Sequence, residues 1–351
     1  VVKKYITTSS SSLSSHHHSN SELLFHQHHI LFLQNLKMQF LAPLSALVAS
    51  TLAANLTTVF QYPPGTWLEN IAHMRNGSLL VTLIGSPEVR IVDPTVSPAT
   101  SSLVTKFPNA NSVLGITEVK TDVFAVVVGT LNTSNNTPLP GSFSIWTLDL
   151  GCSETGTSVQ KVVDTPKIGL ANGLTTLSDH VVLVADAYNG NVVRVDIKQK
   201  TYAVVLQDKS LAPDFSGKAS LPFGVNGVRF HASTSTLYYT NTVQNLIGHV
   251  KINRSSGRAR GKFEVIAQGA QVSQPDDLAV LNDGSVVLAR PVADTIQHIG
   301  LDGRVRELAK GGLASGATSV VVVKEGEVYL SESGLVGGVS GGGGRVAKLT
   351  F

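Results

Sequence analysis

From Leu170 to Asp196 the chain reads LANGLTTLSDHVVLVADAYNGNVVRVD, three short runs (GLTTL, VVLVAD, NVVRVD) separated by Ser178-Asp179-His180 and Tyr188-Asn189-Gly190. Runs of four to seven residues, rich in Val and broken by Asn, Asp and Gly, are the pattern of an antiparallel meander. A lone meander cannot bury both of its faces, so this stretch needs neighbours of its own kind. It has them. Similar units begin near Trp67, Leu114, Phe223, Pro275 and Ala317, at a spacing of roughly 45 to 55 residues that suits the blades of a propeller.

Each copy varies the same theme. Arg75-Asn76-Gly77 and Asn282-Asp283-Gly284 supply hairpin turns in the first and fifth units. The second carries the polar, Pro-containing insertion LNTSNNTPLPG, which predicts an exposed loop, and the sixth is interrupted by the Gly-rich connector VGGVSGGGG. No long helical period follows residue 54, so the expectation is an all-β, six-bladed β-propeller, favoured over two packed β-sandwich domains by the even repeat. Leu56 to Pro63 belongs to no unit. It is expected to supply the outer strand of the last blade beside RVAKLTF and so to seal the ring without a long open edge.

The chain has 351 residues, of which 42% are hydrophobic, enough for one large domain. A formal net charge of +3 with scattered Lys and Arg excludes a nucleic-acid footprint. The single cysteine, Cys152, excludes an internal disulfide and a Cys-based zinc site. Residues 1–37 read as a non-native or untranslated leader, a Ser/His tract and then apolar sequence without caps or turns. Met38 opens a short apolar run with small residues up to Ala53, which reads as a signal peptide and is too short for a membrane span. The expectation is therefore a single propeller domain over 54–351 in the secretory pathway or outside the cell, a monomer free of the membrane after cleavage. Sequons at Asn55, Asn76, Asn132, Asn135 and Asn253 are candidates for glycosylation.

Aligning the units places Glu69 and Asn70, Gly115, Asn172, Asn226, Asp276 and Asp277, and Thr318 at the start of the first strand of each, where a propeller opens onto its channel. Asn and Asp beside Gly also form turns. Turn chemistry does not demand an amide or carboxylate at one common register, however, and these oxygen donors suit calcium or magnesium better than zinc. Around the same mouth, Trp67, Tyr188, Phe223 and Tyr239 are candidate wall residues. His73, Asn172, Asp186, Asn226 and Arg290 are candidate polar anchors. A GxSxG nucleophile motif is absent, and the motifs ask for no organic cofactor.

WLENIA, ANGL, VNGV and QPDDLAV resemble the blade motifs of the senescence-marker-protein, gluconolactonase and luciferin-regenerating-enzyme superfamily of six-bladed propellers. The resemblance implies one divalent cation in the channel, held by Glu69, Asn172, Asn226 and Asp276, with Asp276 or Asp277 as general base of a lactonase. TWLENIA, NGSLLVT and DDLAV are closer to secreted fungal members that include the hetero-Diels–Alderases of tropolone sesquiterpenoid pathways. That branch implies a cyclase joining a quinone methide to a terpene alkene, and it is the first expectation for function. A metal-dependent lactonase comes second and a non-catalytic binding propeller third; each takes a small organic molecule as its partner.

Overall fold

The computed structural model describes residues 54–151, 156–336, 339–340 and 342–351. All belong to one compact unit, Leu52–Phe351. The expected leader (1–37), the expected signal peptide (38–53) and Cys152 lie outside the described residues.

The third repeat forms a four-stranded antiparallel sheet in sequence order: Ala171–Ser178, Val181–Asp186, Asn191–Asp196 and Thr201–Gln207. Burial follows position. Val181–Asp186 is covered on both faces by neighbouring sheets and is buried at every residue, whereas Thr201–Gln207 at the rim alternates. Leu183 and Val184 are fully buried, each contributing about 2 kcal/mol of apolar burial. The fourth and fifth repeats build the same sheet from Val225–His231 and from Leu278–Val280 outward.

The innermost strands of the repeats, Trp67–His73, Ser112–Lys120, Ala171–Ser178, Val225–His231, Leu278–Val280 and Ala317–Lys324, contact one another in a closed ring. The arrangement is a propeller. One amendment to six separate blades is needed: the first two four-stranded meanders join through the single pair Ile84–Ser112 into one eight-stranded sheet. Closure occurs where the sequence placed it. Asn55–Gln61 pairs antiparallel with Arg345–Thr350, from Asn55 opposite Thr350 to Gln61 opposite Arg345. The last sheet is therefore completed from the other end of the domain and its edge is covered.

Candidate active site

A shared irregularity of the inner strands sets the site. Pairing with the second strand skips between Leu68 and Asn70, Val113 and Ile116, Ala171 and Leu174, Val225 and Val228, and Ala317 and Ser319. In the fifth repeat the Asp276 N–H donates to Ala289 O (3.1 Å) and the Ala289 N–H to Asp277 O (2.9 Å), so two residues again face one. Such a bulge leaves a residue outside the ladder and re-aims its side chain. Glu69, Asn172, Asn226, Asp276 and Thr318 occupy these skips, and all five line one cavity of about 290 Å³.

The glycines beside them serve the neighbouring blade instead of a turn. None of Gly115, Gly173 and Gly227 has the left-handed backbone of a turn glycine. A Cβ on Gly115 would stand 2.4 Å from Asn172 O, and one on Gly173 would stand 2.4 Å from Asn226 O. On Gly227 it would meet Asp277 Oδ1 at 2.5 Å. Each Asn-Gly pair thus combines a channel-facing amide with a gap that admits the next inner strand.

The two cavity carboxylates are held away from their ordinary ionisation. Burial, and then repulsion from Asp277, pushes Glu69 up to about 7; the nearby Trp67 indole N–H opposes the rise. That N–H falls short of hydrogen-bond geometry, leaving Trp67 Nε1 buried without a partner. Asp276 is raised well above the usual carboxylate range by enclosure, then by Glu69 and Asp277. Its partial exposure to cavity solvent tempers this rise without reversing it, because protein surrounds the cavity. An amide N–H opposes it as well: Asn226 Nδ2 donates to Asp276 Oδ1 at 2.8 Å and to Thr242 Oγ1 at 2.9 Å. These bonds orient the Asn226 amide and leave its oxygen without a partner among the described residues. The Glu69 carboxylate and Asn172 amide likewise lack a hydrogen bond of normal geometry there.

Among the described residues no three His, Cys, Asp or Glu side chains group to hold a metal. The set is instead two carboxylates and two amides, all oxygen donors. It fits a calcium-like cation, whose charge would offset the repulsion that raises both acids.

Asp277 has a different office from its neighbour. It is buried and does not line the cavity. Its Oδ2 accepts from Arg229 Nη2, from Ser319 Oγ at 2.6 Å and from Asn70 Nδ2 at 3.1 Å, which ties four blades together. A carboxylate so engaged is a structural crosslink. Asp277→Ala should therefore cost about 3 kcal/mol in urea unfolding, at the low end for breaking a buried ion pair because Arg229 retains some access to water.

Other sequence candidates separate in the same way. Trp67 and Phe223 line the cavity. His73 does not: it ends the strand that Trp67 begins, roughly 20 Å away at the rise of an extended chain. Arg290 is turned into the fold, donating to Ser273 O (2.9 Å), Gln271 O (3.1 Å) and Ser273 Oγ (2.6 Å), so it secures the 270–272 turn and does not line the cavity. Asp186 accepts from the Gly169 and Leu170 N–H groups and from Asn189, tying its own loop. Tyr239 is fully buried within its blade with its hydroxyl on Ser210 Oγ (2.7 Å), burial pushing it up to about 12. Tyr188 does not line the cavity itself; its ring packs 5.7 Å from that of the lining residue Phe223.

Three lining segments were not foreseen. The insertion in the second repeat folds as a hairpin, Leu131–Asn132 on Thr137–Pro138, and brings Leu131 and Asn136 to the cavity. Ser220 and Leu221 come from the loop before the fourth repeat, and Leu335 from the start of the Gly-rich connector. The extra length of each segment is visible in the sequence; its inward direction is not.

Residues 223–330 match the family described as SMP-30/Gluconolactonase/LRE-like region, a span that includes Asn226 and Asp276 but neither Glu69 nor Asn172. A search of curated proteins found no match. Similar solved structures include a luciferin-regenerating enzyme, at 12% identity over 85% of this chain and 95% of that one, with a TM-score of 0.59. The calcium-binding protein regucalcin from Agrobacterium tumefaciens strain C58 matches at 12% identity over 83% and 92%, TM-score 0.57. Virginiamycin B lyase from Staphylococcus aureus matches at 12% over 85% and 99%, TM-score 0.56. These likenesses are likenesses of fold.

Proposed function

We propose that the chain is, over its whole propeller, a member of the SMP-30/gluconolactonase/LRE-like family and a divalent-cation-dependent hydrolase of lactones or related esters. The observation that carries this reading is the convergence of Glu69, Asp276, Asn172 and Asn226 on one cavity, the two acids raised by burial and then by neighbouring carboxylates, Asp277 on Glu69 and both Glu69 and Asp277 on Asp276. When bound by these four side chains, a cation supplies Lewis-acid polarisation of a carbonyl and a more acidic water. The protein does the rest. Asn226 fixes Asp276 through Oδ1, and Asp276 Oδ2 is left to accept a proton from an attacking water. Thr242 Oγ1 holds the Asn226 amide in that pose and is itself pinned to Pro275 O at 2.9 Å. Apolar side chains of Trp67, Leu114, Leu170 and Phe223 wall the cavity around the acids.

A second reading rests on those walls. Trp67, Leu114, Leu170 and Phe223 offer an apolar chamber in which a cycloaddition of the hetero-Diels–Alderase kind would need only proximity and orientation, worth up to roughly 7 to 11 kcal/mol. A secreted, monomeric protein with a small organic substrate suits either reading.

Lactone turnover with and without a chelator decides between them. The hydrolase reading expects turnover that chelation abolishes and that Asn172→Ala together with Asn226→Ala lowers at least 100-fold. Cyclisation that persists in chelator, with lactones untouched, selects the second reading. Neither activity leaves a binding propeller and defeats both.

A further inference from the structure

The geometry points to an amphiphilic substrate, with one carbonyl-bearing head on the cavity floor and an apolar body that runs outward along Phe223, Tyr188 and Phe215. Three rings form a ladder from the cavity to solvent. Phe223 lines the wall, Tyr188 lies 5.7 Å from it between ring centres, and Phe215 meets Tyr188 edge-on at 5.1 Å. Phe215 is 57% exposed, although aromatic surface of that size is ordinarily covered. Val292 also lines the cavity and is 39% exposed. Apolar side chains thus reach from the wall to exposed positions beyond the chamber, which at about 290 Å³ is at the small end for a ligand pocket.

The polar side chains of the wall are mostly occupied by the protein. Thr242 Oγ1 donates to Pro275 O (2.9 Å), Thr318 Oγ1 to Leu68 O (3.0 Å) and Ser333 Oγ to Gly316 O (3.1 Å). Asn136 Oδ1 and Trp67 Nε1 are the exceptions, each buried without a partner, and they accommodate one hydrogen-bond donor and one acceptor on the ligand. The uncommitted polar capacity is otherwise gathered at the floor. A polyhydroxylated sugar lactone would bury hydroxyls against this wall without partners, at a cost that an alkyl or terpenoid body does not incur.

This inference rests on the cavity being the site of the proposed hydrolysis, and binding tests it apart from turnover. The probes are δ-lactams, which resist hydrolysis, carrying alkyl tails of increasing length, together with gluconolactam; affinities are read by titration calorimetry in calcium. Affinity should rise about fourfold for each added methylene, as its burial predicts, and gluconolactam should bind more weakly than any tailed lactam. Phe215→Ser, a change at an exposed position, should flatten the dependence for long tails and leave the shortest lactam unaffected. An affinity indifferent to tail length, a gluconolactam that binds as tightly, or a Phe215→Ser protein with an unaltered dependence would each overturn the inference. Length-dependent binding without any lactone turnover would sustain it and remove only the hydrolase reading.

Discussion

Gly173→Ala should lower the stability of the ring by about 3 kcal/mol and its melting temperature by roughly 5 °C. The added methyl would lie 2.4 Å from Asn226 O and 2.9 Å from Gly227 Cα, so it meets the backbone of the next inner strand and no flexible side-chain end that could swing aside. Relief requires two blades to part at the register where Asn172 and Asn226 face the cavity. Cation affinity should therefore fall with stability, by at least tenfold. Gly261→Ala is the matched control, since its methyl would meet only Lys251 side-chain carbons at ordinary distance. A Gly173→Ala protein as stable as that control would show that the close approach of the strands is dispensable.

Glu69→Gln should have opposite effects on stability in the absence and presence of a cation. Burial lifts Glu69 from 4.5 to about 7. Between those values the folded chain binds more protons than the unfolded one, so cation-free stability falls as pH rises through this window and stays reduced above it. A rise of this size corresponds to about 3 kcal/mol. Glutamine carries no such charge. The cation-free variant should melt above the native protein at pH values beyond 7, and the advantage should vanish below pH 4.5. Calcium should reverse the order by stabilising the native protein alone. Thermal melts across pH, with calcium and with chelator, measure both halves; a variant less stable than the cation-free native protein at high pH would contradict the burial argument.

The sequence disclosed the ring and much of its floor for one reason: both repeat. Asn172, Asn226 and Asp276 stand one unit apart, and the bulge that aims each side chain recurs with the strand. The closing strand was legible because Leu56 to Pro63 had no unit of its own. What does not repeat was hidden. His73 and Trp67 share one strand, and type alone does not say which end faces the site. Arg290 resembled a ligand anchor because a charge ending a Val-rich strand is unusual, yet three local oxygens absorb it. Asp276 and Asp277 are adjacent in sequence, and only the pleat with its bulge sends one to the cavity and the other to Arg229. The Asn-Gly pairs looked like turns, whereas their glycines answer to the neighbouring blade, which no local pattern records.

Calcium titration calorimetry of the native protein and of Asp276→Asn measures the cation site most directly. The site built from Glu69, Asn172, Asn226 and Asp276 predicts one calcium per native chain and at least a 100-fold weaker affinity after the substitution. No binding to the native protein at millimolar calcium, or equal binding by the two, would contradict it.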